Sequence, residues 1–580
     1  MIDVFRIAIF LLIVAIPGMA QQFFPLKDVR PGLHGVGRTV FEGNRIQEFQ
    51  VEILGVLENL APKQSIILAR LSGGPLAETG VMQGMSGSPV YIDGKLLGAI
   101  ALGFPFSKEP IAGIQPIEQM IADSNFVKST RTGIAHALTP RSGAFGDLTE
   151  ILTPLSLTGF TPATLQAFAS DFRKLGFEPL QGVSGGTPSS QEYSGTVSPG
   201  SMISVQLLSG DMNMSADGTV TYVDGKHVYA FGHRFLDSGS TEMPFARAEI
   251  VAVIPSLNTS FKVSRARQWV GTITSDRNTA VAGEIGRRAH AVPLSIDVHS
   301  TATGTHEYHF QVVNDRLLTA LITQTVLFSA IDATERNFGA ASLRVKGQVE
   351  FEDGLPALHI RDMFISDNAL AQQVSADAVV PLGFVLGGGF TNLHIRHIGF
   401  TLEPFETKRQ LRIAQVWADH RTAQPGEAIA ITTLFEGEDG LRMTRSATYR
   451  LPIGSPLGNL NITVSDANTL NFPDFSGLSQ SALRDPAQLI QAINQFRDND
   501  SAYVRLWRQE PAFTITGPSP AGELTDPPPS IMLVLADPSG STTVNPAVTA
   551  TRGSTIAEIP LPVSGYVVSG AKTIQVEVKE

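Results

Sequence analysis

The sequence predicts a mainly β protein built from several domains. Two β-hairpins are indicated by the turns Asp93-Gly94 and Asp224-Gly225, each lying between short apolar runs, and this dipeptide is preferred in two-residue type I′ turns. Beyond residue 408, short strand-like runs alternate with turns rich in Gly and Pro, a spacing typical of an immunoglobulin-like β-sandwich. A chain of 580 residues exceeds what one core can hold, so we expect roughly three to five domains.

Changes of pattern along the chain divide it into six parts. A helix is expected after Thr161-Pro162, because an N-cap residue, a Pro at the first helical position and Gly176 past the end bound it. Residues 181–195 are rich in Gly and Ser and indicate a linker. The predicted parts are a signal peptide (1–20), a β-rich half (21–125), a helical and linker insertion (126–196), a second β-rich half (197–405), an immunoglobulin-like sandwich (406–515) and a C-terminal β region (516–580).

Composition excludes several classes of function. The net charge is −11, with Lys and Arg scattered along the chain, whereas phosphate binding requires clustered cations, so we expect no nucleic-acid partner. The chain has no cysteine, which excludes disulfides, a thiolate nucleophile and a thiolate metal site. Hydrophobic residues make up 43% and charged residues 17%, as in ordinary folded proteins rather than disordered ones.

The first twenty residues predict export. Arg6 precedes the apolar run 7–16, and Met19-Ala20 ends the segment ahead of two glutamines, which is the pattern of a secretory signal peptide. The apolar run is shorter than the roughly twenty residues that span a bilayer. We therefore expect a protein of bacterial type that is periplasmic or extracellular, with no transmembrane span once the signal is removed.

A glycine-flanked serine is the strongest candidate for a catalytic group. The string Gly84-Met85-Ser86-Gly87-Ser88-Pro89 stands directly before the first predicted hairpin. With glycines on both sides, little side-chain bulk surrounds Ser86, so its hydroxyl can be presented to a substrate. The amides of Gly84 and Ser86 can point to one spot, as an oxyanion hole requires.

This string also carries a resemblance to known peptidases. The spacing G-x-S-G-x-P resembles the nucleophile segment of chymotrypsin-like serine peptidases, and the fuller string with Met85 and Ser88 is similar to the family of the sporulation factor IV B protease. The resemblance implies a chymotrypsin-like peptidase domain made of two β-barrel parts, with Ser86 as the nucleophile. Trypsin-like enzymes have an aspartate where Met85 stands, so activation by an ion pair with a new N-terminus is excluded.

His233 is the candidate base for that serine. It follows a predicted strand end and sits beside Gly232, which allows it to turn towards a cleft. In the sporulation protease family, Gly-Thr-x-Thr is followed by a hairpin and then Ala-Leu-Gly-His, where the histidine is the catalytic base. Here Gly218-Thr219-Val220-Thr221 is followed by Ala230-Phe231-Gly232-His233. The resemblance thus implies that His233 takes the proton of Ser86.

The chain departs from the family pattern in three ways. The serine segment precedes the histidine segment, as in a circular permutation, which a triad tolerates because geometry alone decides. The stretch 71–75, which matches the family's aspartate segment, has no carboxylate, so Glu78, Asp211 and Asp237 stand as alternative orienting acids beside a Ser-His dyad. No peptide-binding PDZ module is recognisable.

Other motifs point to no cofactor or metal. His394 and His397 would face opposite sides of a strand, and no carboxylate cluster accompanies them. The glycine-rich run 386–390 lacks the spacing of a phosphate loop. We therefore predict an exported serine endopeptidase that acts on proteins or peptides, with an unidentified partner for the C-terminal β domains. The alternative is a catalytically inactive, peptidase-like envelope scaffold or binding module.

Overall fold

Strands dominate the architecture. The computed structural model describes residues 23–580 except 62–63, 125–147, 183–193, 301–303, 335–337, 391–392, 439, 481–484, 510–511, 516–521, 526–547 and 552. Strands account for 55% of the residues and helices for 18%, which confirms the mainly β class. The predicted signal peptide lies outside the described residues.

The first barrel is a closed ring of six strands. They are β1 (His34–Glu42), β2 (Arg45–Ala61), β3 (Gln64–Ser72), β4 (Pro89–Ile92), β5 (Lys95–Gly103) and β6 (Ile111–Pro116). Their order is β4-β1-β2-β3-β6-β5, and β5 also pairs with β4, which closes the ring. Apolar side chains such as Phe49, Ile53 and Ile67 are buried in its core.

Local sequence explains the turns and helices of this barrel. Asp93 (φ 49°) and Gly94 (φ 74°) join β4 to β5, and two successive positive φ values are what a type I′ turn requires, so the predicted hairpin is confirmed. A 3-10 helix, Leu26–Asp28, precedes the barrel. Two short helices lie before and after the serine segment in the sequence: α1 (Leu76–Thr79) and α2 (Ile117–Ser124).

A connection with its own strands and helix joins the first barrel to the second. Its elements are β7 (Thr149–Glu150), β8 (Thr153–Thr158), α3 (Pro162–Lys174) and β9 (Phe177–Gln181). Thr161 caps α3 by accepting from the amide of Thr164 at 3.3 Å, and Gly176 past its end has a φ of 91°, so the predicted helix is confirmed. Most of the predicted linker 181–195 lies outside the described residues.

The second barrel is also a ring of six strands. They are β10 (Met202–Gly210), β11 (Asn213–Asp224), β12 (His227–Ala230), β13 (Gly239–Ile254), β14 (Phe261–Arg277) and β15 (Ala280–Ile285). Their order is β10-β13-β14-β15-β12-β11, and a pairing between β10 and β11 closes the ring. Two six-stranded rings in succession match the two-part barrel domain that the resemblance implied.

The sheet of the second barrel continues on both sides to thirteen strands. Strands β8 and β9 extend it beyond β11. On the other side follow β16 (Ala291–Ser300), β17 (Gly304–Val313), α4 (Leu318–Thr334), β18 (Phe338–Phe351), β19 (Leu358–Asn368), α5 (Leu370–Gly387) and β20 (Ile395–Phe405). Helices α4 and α5 share one large apolar core with the barrel and these strands.

Helix α5 corrects one expectation from the sequence. No segment after the signal peptide was expected to be long and apolar enough to cross a membrane, yet α5 has 18 residues with a mean hydropathy of 1.3 and passes that test of length and composition. Half of it is buried, and its apolar side chains Val374, Leu382 and Val385 belong to the core beneath the sheet. These contacts are those of a core helix.

The C-terminal part is a two-layer sandwich. Its first strands and helices are β21 (Gln410–Ala418), β22 (Thr422–Ala423), β23 (Ala428–Gly437), β24 (Arg442–Arg450), β25 (Gly458–Asp466), α6 (Ala467–Gln480), α7 (Pro486–Asn494) and β26 (Ser501–Arg508). The remaining strands of the sandwich are β30 (Ser554–Pro562), β31 (Val567–Ser569) and β32 (Ala571–Val578). Between β26 and β30, a separate three-stranded sheet is formed by β27 (Ala512–Ile515), β28 (Gly522–Thr525) and β29 (Val548–Thr551).

Strands from both predicted C-terminal parts build this sandwich together. One sheet has the order β24-β23-β21-β31 and the other β22-β32-β25-β26-β30. A single core joins them, with Ile431 and Phe435 from one sheet and Ile462, Val504 and Val576 from the other. The predicted boundary at 515/516 therefore falls inside the sandwich, because β30, β31 and β32 pair with strands from before it. An immunoglobulin-like class for the sandwich stays a prediction.

The long hairpin of β13 and β14 ties the second barrel to the first. Ile250 on β13 exchanges both backbone hydrogen bonds with Gly43, and Gln83, just before the serine segment, pairs with the start of β14. Val40 and Met202 share a small apolar cluster between the barrels. The serine segment is thus held at the junction of the two barrels.

Candidate active site

The serine segment forms a tight loop between α1 and β4. Gly84 (φ 88°) and Gly87 (φ 91°) both adopt backbone conformations that disfavour side chains. The amide of Gly87 donates to the carbonyl of Ile100 at 2.7 Å, and the carbonyl of Ser88 accepts from the amide of Ile100 at 3.0 Å. The loop is therefore fastened to the edge of β5.

The second barrel holds the other side of this loop. The amide of Thr219 donates to the carbonyl of Ser86 at 2.9 Å, and its hydroxyl donates to the carbonyl of Gly84 at 2.9 Å. The hydroxyl of Thr221 donates to the carbonyl of Gly87 at 2.7 Å. The two threonines of the Gly-Thr-x-Thr string thus bind the serine loop.

These bonds leave two backbone donors available. Three hydrogen bonds from Thr219 and Thr221 occupy the carbonyls of Gly84, Ser86 and Gly87. The N–H groups of Gly84 and Ser86 have no hydrogen-bond partner among the described residues. They are the pair that the sequence predicted for an oxyanion hole, and N–H donors that are fixed in advance stabilise a developing oxyanion strongly.

Ser86 and His233 each carry one unpartnered polar atom in this junction. Ser86 is 0% exposed and His233 is 4% exposed. Neither Ser86 Oγ nor His233 Nε2 has a hydrogen-bond partner among the described residues. Buried polar atoms without partners are costly, so they commonly mark functional positions.

A strained turn brings His233 to the serine loop. Strand β12 ends at Ala230, and the next two residues, Phe231 (φ 67°) and Gly232 (φ 71°), both have positive φ. A positive φ is unusual for a bulky residue such as phenylalanine and costs of order 1–3 kcal/mol. A Cβ on Gly87 would lie 2.5 Å from the amide nitrogen of Phe231, so the serine loop and the histidine turn are in direct contact.

The imidazole of His233 is in the state that a general base needs. Its Nδ1 lies 2.7 Å from the backbone carbonyl of Arg234. Since a carbonyl only accepts, Nδ1 carries the proton and Nε2 is left with a free lone pair. Burial lowers the pKa of His233, although the carboxylates of Glu150 and Asp276 act in the opposite direction. The lowered pKa favours the neutral ring at pH 7.

The three predicted orienting acids lie elsewhere, and the structure brings none of them within hydrogen-bond distance of His233. Glu78 is exposed on α1. Asp211 lies in the turn between β10 and β11, where it accepts from the amide of His309 at 2.7 Å. Asp237 is exposed, with a φ of 59°. Among the described residues, the only hydrogen-bond partner of this imidazole is the carbonyl of Arg234.

Two acids that the sequence reasoning missed do act on His233. Asp276, at the end of β14, is fully buried and accepts from the amides of Phe235 at 2.8 Å, Leu236 at 2.7 Å and Ser238 at 3.1 Å. It thereby fixes the loop that follows the histidine. Glu150 on β7 has the larger electrostatic effect on the histidine. No local motif surrounds either acid, so only the fold could reveal them.

A buried lysine supports the serine loop from the second barrel. Lys262 on β14 is 0% exposed, and its Nζ donates to Thr39 Oγ1 on β1 at 2.7 Å. Its side-chain carbons lie 3.2 and 3.4 Å from the position that a Cβ on Gly84 would take. Burial lowers its pKa to about 7, so the amine loses its proton as the pH rises above neutrality.

The lowered pKa of Lys262 should make the free energy of unfolding depend on pH above neutrality. Its pKa falls from 10.5 in the unfolded chain to about 7 in the folded one, so the unfolded state binds more protons between these values and stability rises with pH there. We expect a slope of up to about 1.4 kcal/mol per pH unit from this group. Denaturant unfolding of the wild type, Lys262→Met and the exposed-site control Lys226→Met from pH 7 to 10 measures it.

The Lys262→Met variant should lose this rise, while Lys226→Met should keep it. Equal slopes for all three proteins would show that Lys262 does not titrate in this range.

A second buried ionisable group lies on β11, the strand that carries Thr219 and Thr221. Asp217 on β11 is 0% exposed, and its partner across the ladder is Ser204 on β10. Burial raises its pKa to about 6, and Ser264, Ser204 and Ser156 act against that rise. The hydroxyl of Ser156 donates to its Oδ2 at 3.3 Å. This cluster was not predicted from the sequence.

Comparison with known proteins supports the first barrel's assignment. Residues 26–121 match the family described as SpoIVB peptidase S55, so the resemblance is confirmed over the segment that carries Ser86. No curated protein matches the chain. Among solved structures, the native conformation of E. coli alpha-2-macroglobulin shares 10% identity, with 94% of this chain and 46% of that chain covered and a TM-score of 0.07, which is too low to inform the fold.

Proposed function

We propose that the protein is a serine endopeptidase whose nucleophile is Ser86 and whose general base is His233. One observation carries the proposal. Two buried, unpartnered atoms, Ser86 Oγ and His233 Nε2, lie on loops that touch at the junction of two six-stranded barrels. The free amides of Gly84 and Ser86 complete the set of groups that acyl transfer needs.

Acylation follows from these groups. His233 Nε2 accepts the hydroxyl proton as Ser86 Oγ attacks the carbonyl carbon of the substrate. The carbonyl oxygen becomes negatively charged, and the N–H groups of Gly84 and Ser86 donate to it. When the tetrahedral intermediate collapses, the imidazolium of His233 gives its proton to the departing amine. The peptide bond is broken and an ester to Ser86 remains.

Hydrolysis of the ester repeats the same steps with water. His233 takes a proton from the water molecule, whose oxygen attacks the ester carbonyl, and then returns the proton to Ser86 Oγ. The carbonyl of Arg234 keeps the second proton of the imidazole on Nδ1 throughout. Asp276 acts as a positioning residue, because its contacts fix the backbone directly after His233.

Peptidase activity implies protein or peptide substrates, and the remaining assignments rest on sequence. We extend the proposal to export, which is supported by the signal-peptide pattern of residues 1–20. The C-terminal sandwich would then bind a partner or position a substrate outside the cytoplasm.

A catalytically inactive scaffold is the competing function. It is favoured by one observation, that the Nδ1 of His233 meets a carbonyl instead of a carboxylate. Retention of the buried Ser86 Oγ, the lone pair on Nε2 and the two free amides favours the enzyme instead.

Labelling with a fluorophosphonate probe tests the proposed function. We expect the probe to label the wild type at Ser86 and to leave Ser86→Ala unlabelled. Ser88→Ala is the matched control, because Ser88 is two residues away, equally buried and also lacks a partner for its hydroxyl. It should label as the wild type does. Equal labelling of wild type and Ser86→Ala, or none of the wild type, would reject the proposal.

A further inference from the structure

The segment that joins the two barrels runs along the edge of β5. Thr149 pairs with Gly103 and Glu150 with Leu102, in antiparallel orientation. The amide of Ile151 then donates to the carbonyl of Ala101 at 3.1 Å. A piece of the chain outside the barrel therefore adds a short strand to it.

This added strand lies directly beside the serine loop. Ile100 of β5 makes two backbone hydrogen bonds to the loop, to Gly87 and to Ser88. The next residue along the strand, Ala101, takes Ile151 instead. Because the pairing is antiparallel, the chain from 149 to 151 runs towards the serine loop, and Ile151 is the paired residue nearest to it.

The side chain of Ile151 fills an apolar pocket of the first barrel. It is 8% exposed and belongs to the same apolar cluster as Met82 and Met85. Its Cγ1 lies 3.7 Å from the position that a Cβ on Gly103 would take, and Val81 approaches the same position at 3.6 Å. The pocket is thus lined by residues from just before the serine and from the end of β5.

The residue before it faces the histidine side of the junction. Glu150 accepts from Arg234 Nε at 3.4 Å, and its charge has the largest electrostatic effect on His233. The extended segment 149–151 therefore pairs with β5, places Glu150 near His233 and places Ile151 in the apolar pocket. This is how an extended peptide is recognised when it adds a strand to a sheet: the backbone pairs and alternate side chains enter pockets.

We propose that residues 149–151 act as an internal competitor, which pairs in cis with β5 from Ala101 to Gly103 at the place where a peptide substrate would otherwise pair. The pocket that holds Ile151 is then the specificity pocket, and it takes a branched aliphatic side chain on the acyl side of the scissile bond. The inference rests on the proposed function and adds to it a substrate preference and an internal competitor.

The first test removes the side chain from the pocket. In Ile151→Gly the internal segment should leave the edge more often, so the fluorophosphonate should label Ser86 at least about tenfold faster than in the wild type. Leu152→Gly is the matched control, because the neighbouring leucine is only partly buried, and it should label at the wild-type rate. Equal rates for wild type and Ile151→Gly would overturn the cis occupancy.

The second test measures binding without catalysis. A dye-labelled peptide with the sequence Leu-Thr-Glu-Ile, that of residues 148–151, is titrated into the Ser86→Ala/Ile151→Gly double variant and followed by fluorescence anisotropy. We expect binding at least about tenfold tighter than that of a peptide with Asp in place of Ile, and weaker binding to Ser86→Ala alone. No binding, or equal binding of the two peptides, would overturn the pocket.

The two tests separate the inference from the function it rests on. Absence of labelling in every variant would reject the peptidase, while selective peptide binding to the double variant would still support the groove and its pocket. Conversely, labelling that depends on Ser86 but is unchanged in Ile151→Gly would leave the peptidase standing and reject the internal competitor.

Discussion

Alanine in place of Gly87 is expected to disrupt the junction between the barrels. A Cβ at this position would lie 1.9 Å from the carbonyl oxygen of Thr219 and 2.5 Å from the amide nitrogen of Phe231. Both are backbone atoms that cannot rotate away, and the φ of 91° adds backbone strain. We expect a loss of roughly 3 kcal/mol or more in the free energy of unfolding, together with loss of probe labelling.

Gly32→Ala provides the matched control for this variant. Gly32 has a similar φ of 85°, but nothing lies within 4 Å of its Cβ position. Its substitution should therefore lower the free energy of unfolding by only about 1 kcal/mol, the cost of placing alanine at a positive φ. Denaturant unfolding of both variants measures the difference. If Gly87→Ala is no less stable than Gly32→Ala, the serine loop does not pack against β11 and the histidine turn as described.

Removing the imidazole of His233 is expected to lower the labelling rate by about 10²- to 10⁴-fold, which is the usual contribution of general acid–base catalysis. The variant is His233→Ala, and the control is His227→Ala at the exposed start of β12, the strand that precedes His233. Stopped-flow or gel-based labelling rates at pH 7.5 give the ratio directly. A ratio near one would show that Ser86 is activated without this histidine.

The same rates as a function of pH report the state of the imidazole. Burial lowers the pKa of His233 below its usual value of 6.5, and the base functions only in its neutral form. The wild-type rate should therefore fall to half of its plateau value only at a pH below 6.5. A half-maximal rate at or above pH 6.5 would contradict a desolvated imidazole.

The proposed catalytic pair could be predicted from the sequence because its signals are local. Ser86 and His233 each sit in a string of four to six residues whose glycines set the turn, so the chemistry and its backbone requirement are contiguous. The sequence did not show that the two strings are in contact. The contact depends on Thr219 and Thr221, which bind the serine loop although about 135 residues of chain separate them from it.

Residues that act through the fold could not be found in this way. Asp276 stands 41 residues beyond Phe235, whose amide it accepts from, and only the register of β14 brings the two together. The sequence around Lys262 gives no sign that this lysine is buried. Its burial follows from the docking of one barrel on the other. Glu150 lies in the connecting segment, which the sequence presented only as an insertion.

Helix α5 was missed for a different physical reason. It is apolar on nearly every face, so it lacks the alternation of polar and apolar sides that predicts a surface helix. It also contains Pro381 within its length and ends in a run of glycines, both of which favour a loop in a sequence-based interpretation. Its position between α4 and the large sheet supplies the stability that local propensity does not.

The hydrogen bonds from Thr219 and Thr221 make the serine loop of the first barrel dependent on the second barrel. Residues 26–121, the part that matches the peptidase family, contain the proposed nucleophile, but the carbonyls of Gly84, Ser86 and Gly87 accept hydrogen bonds from Thr219 and Thr221. A nascent chain that has released only this segment therefore holds an unfinished serine loop. The loop has all of its described contacts only once the chain through Thr221 has been made and docked, so formation of the proposed site depends on the folding of the second barrel.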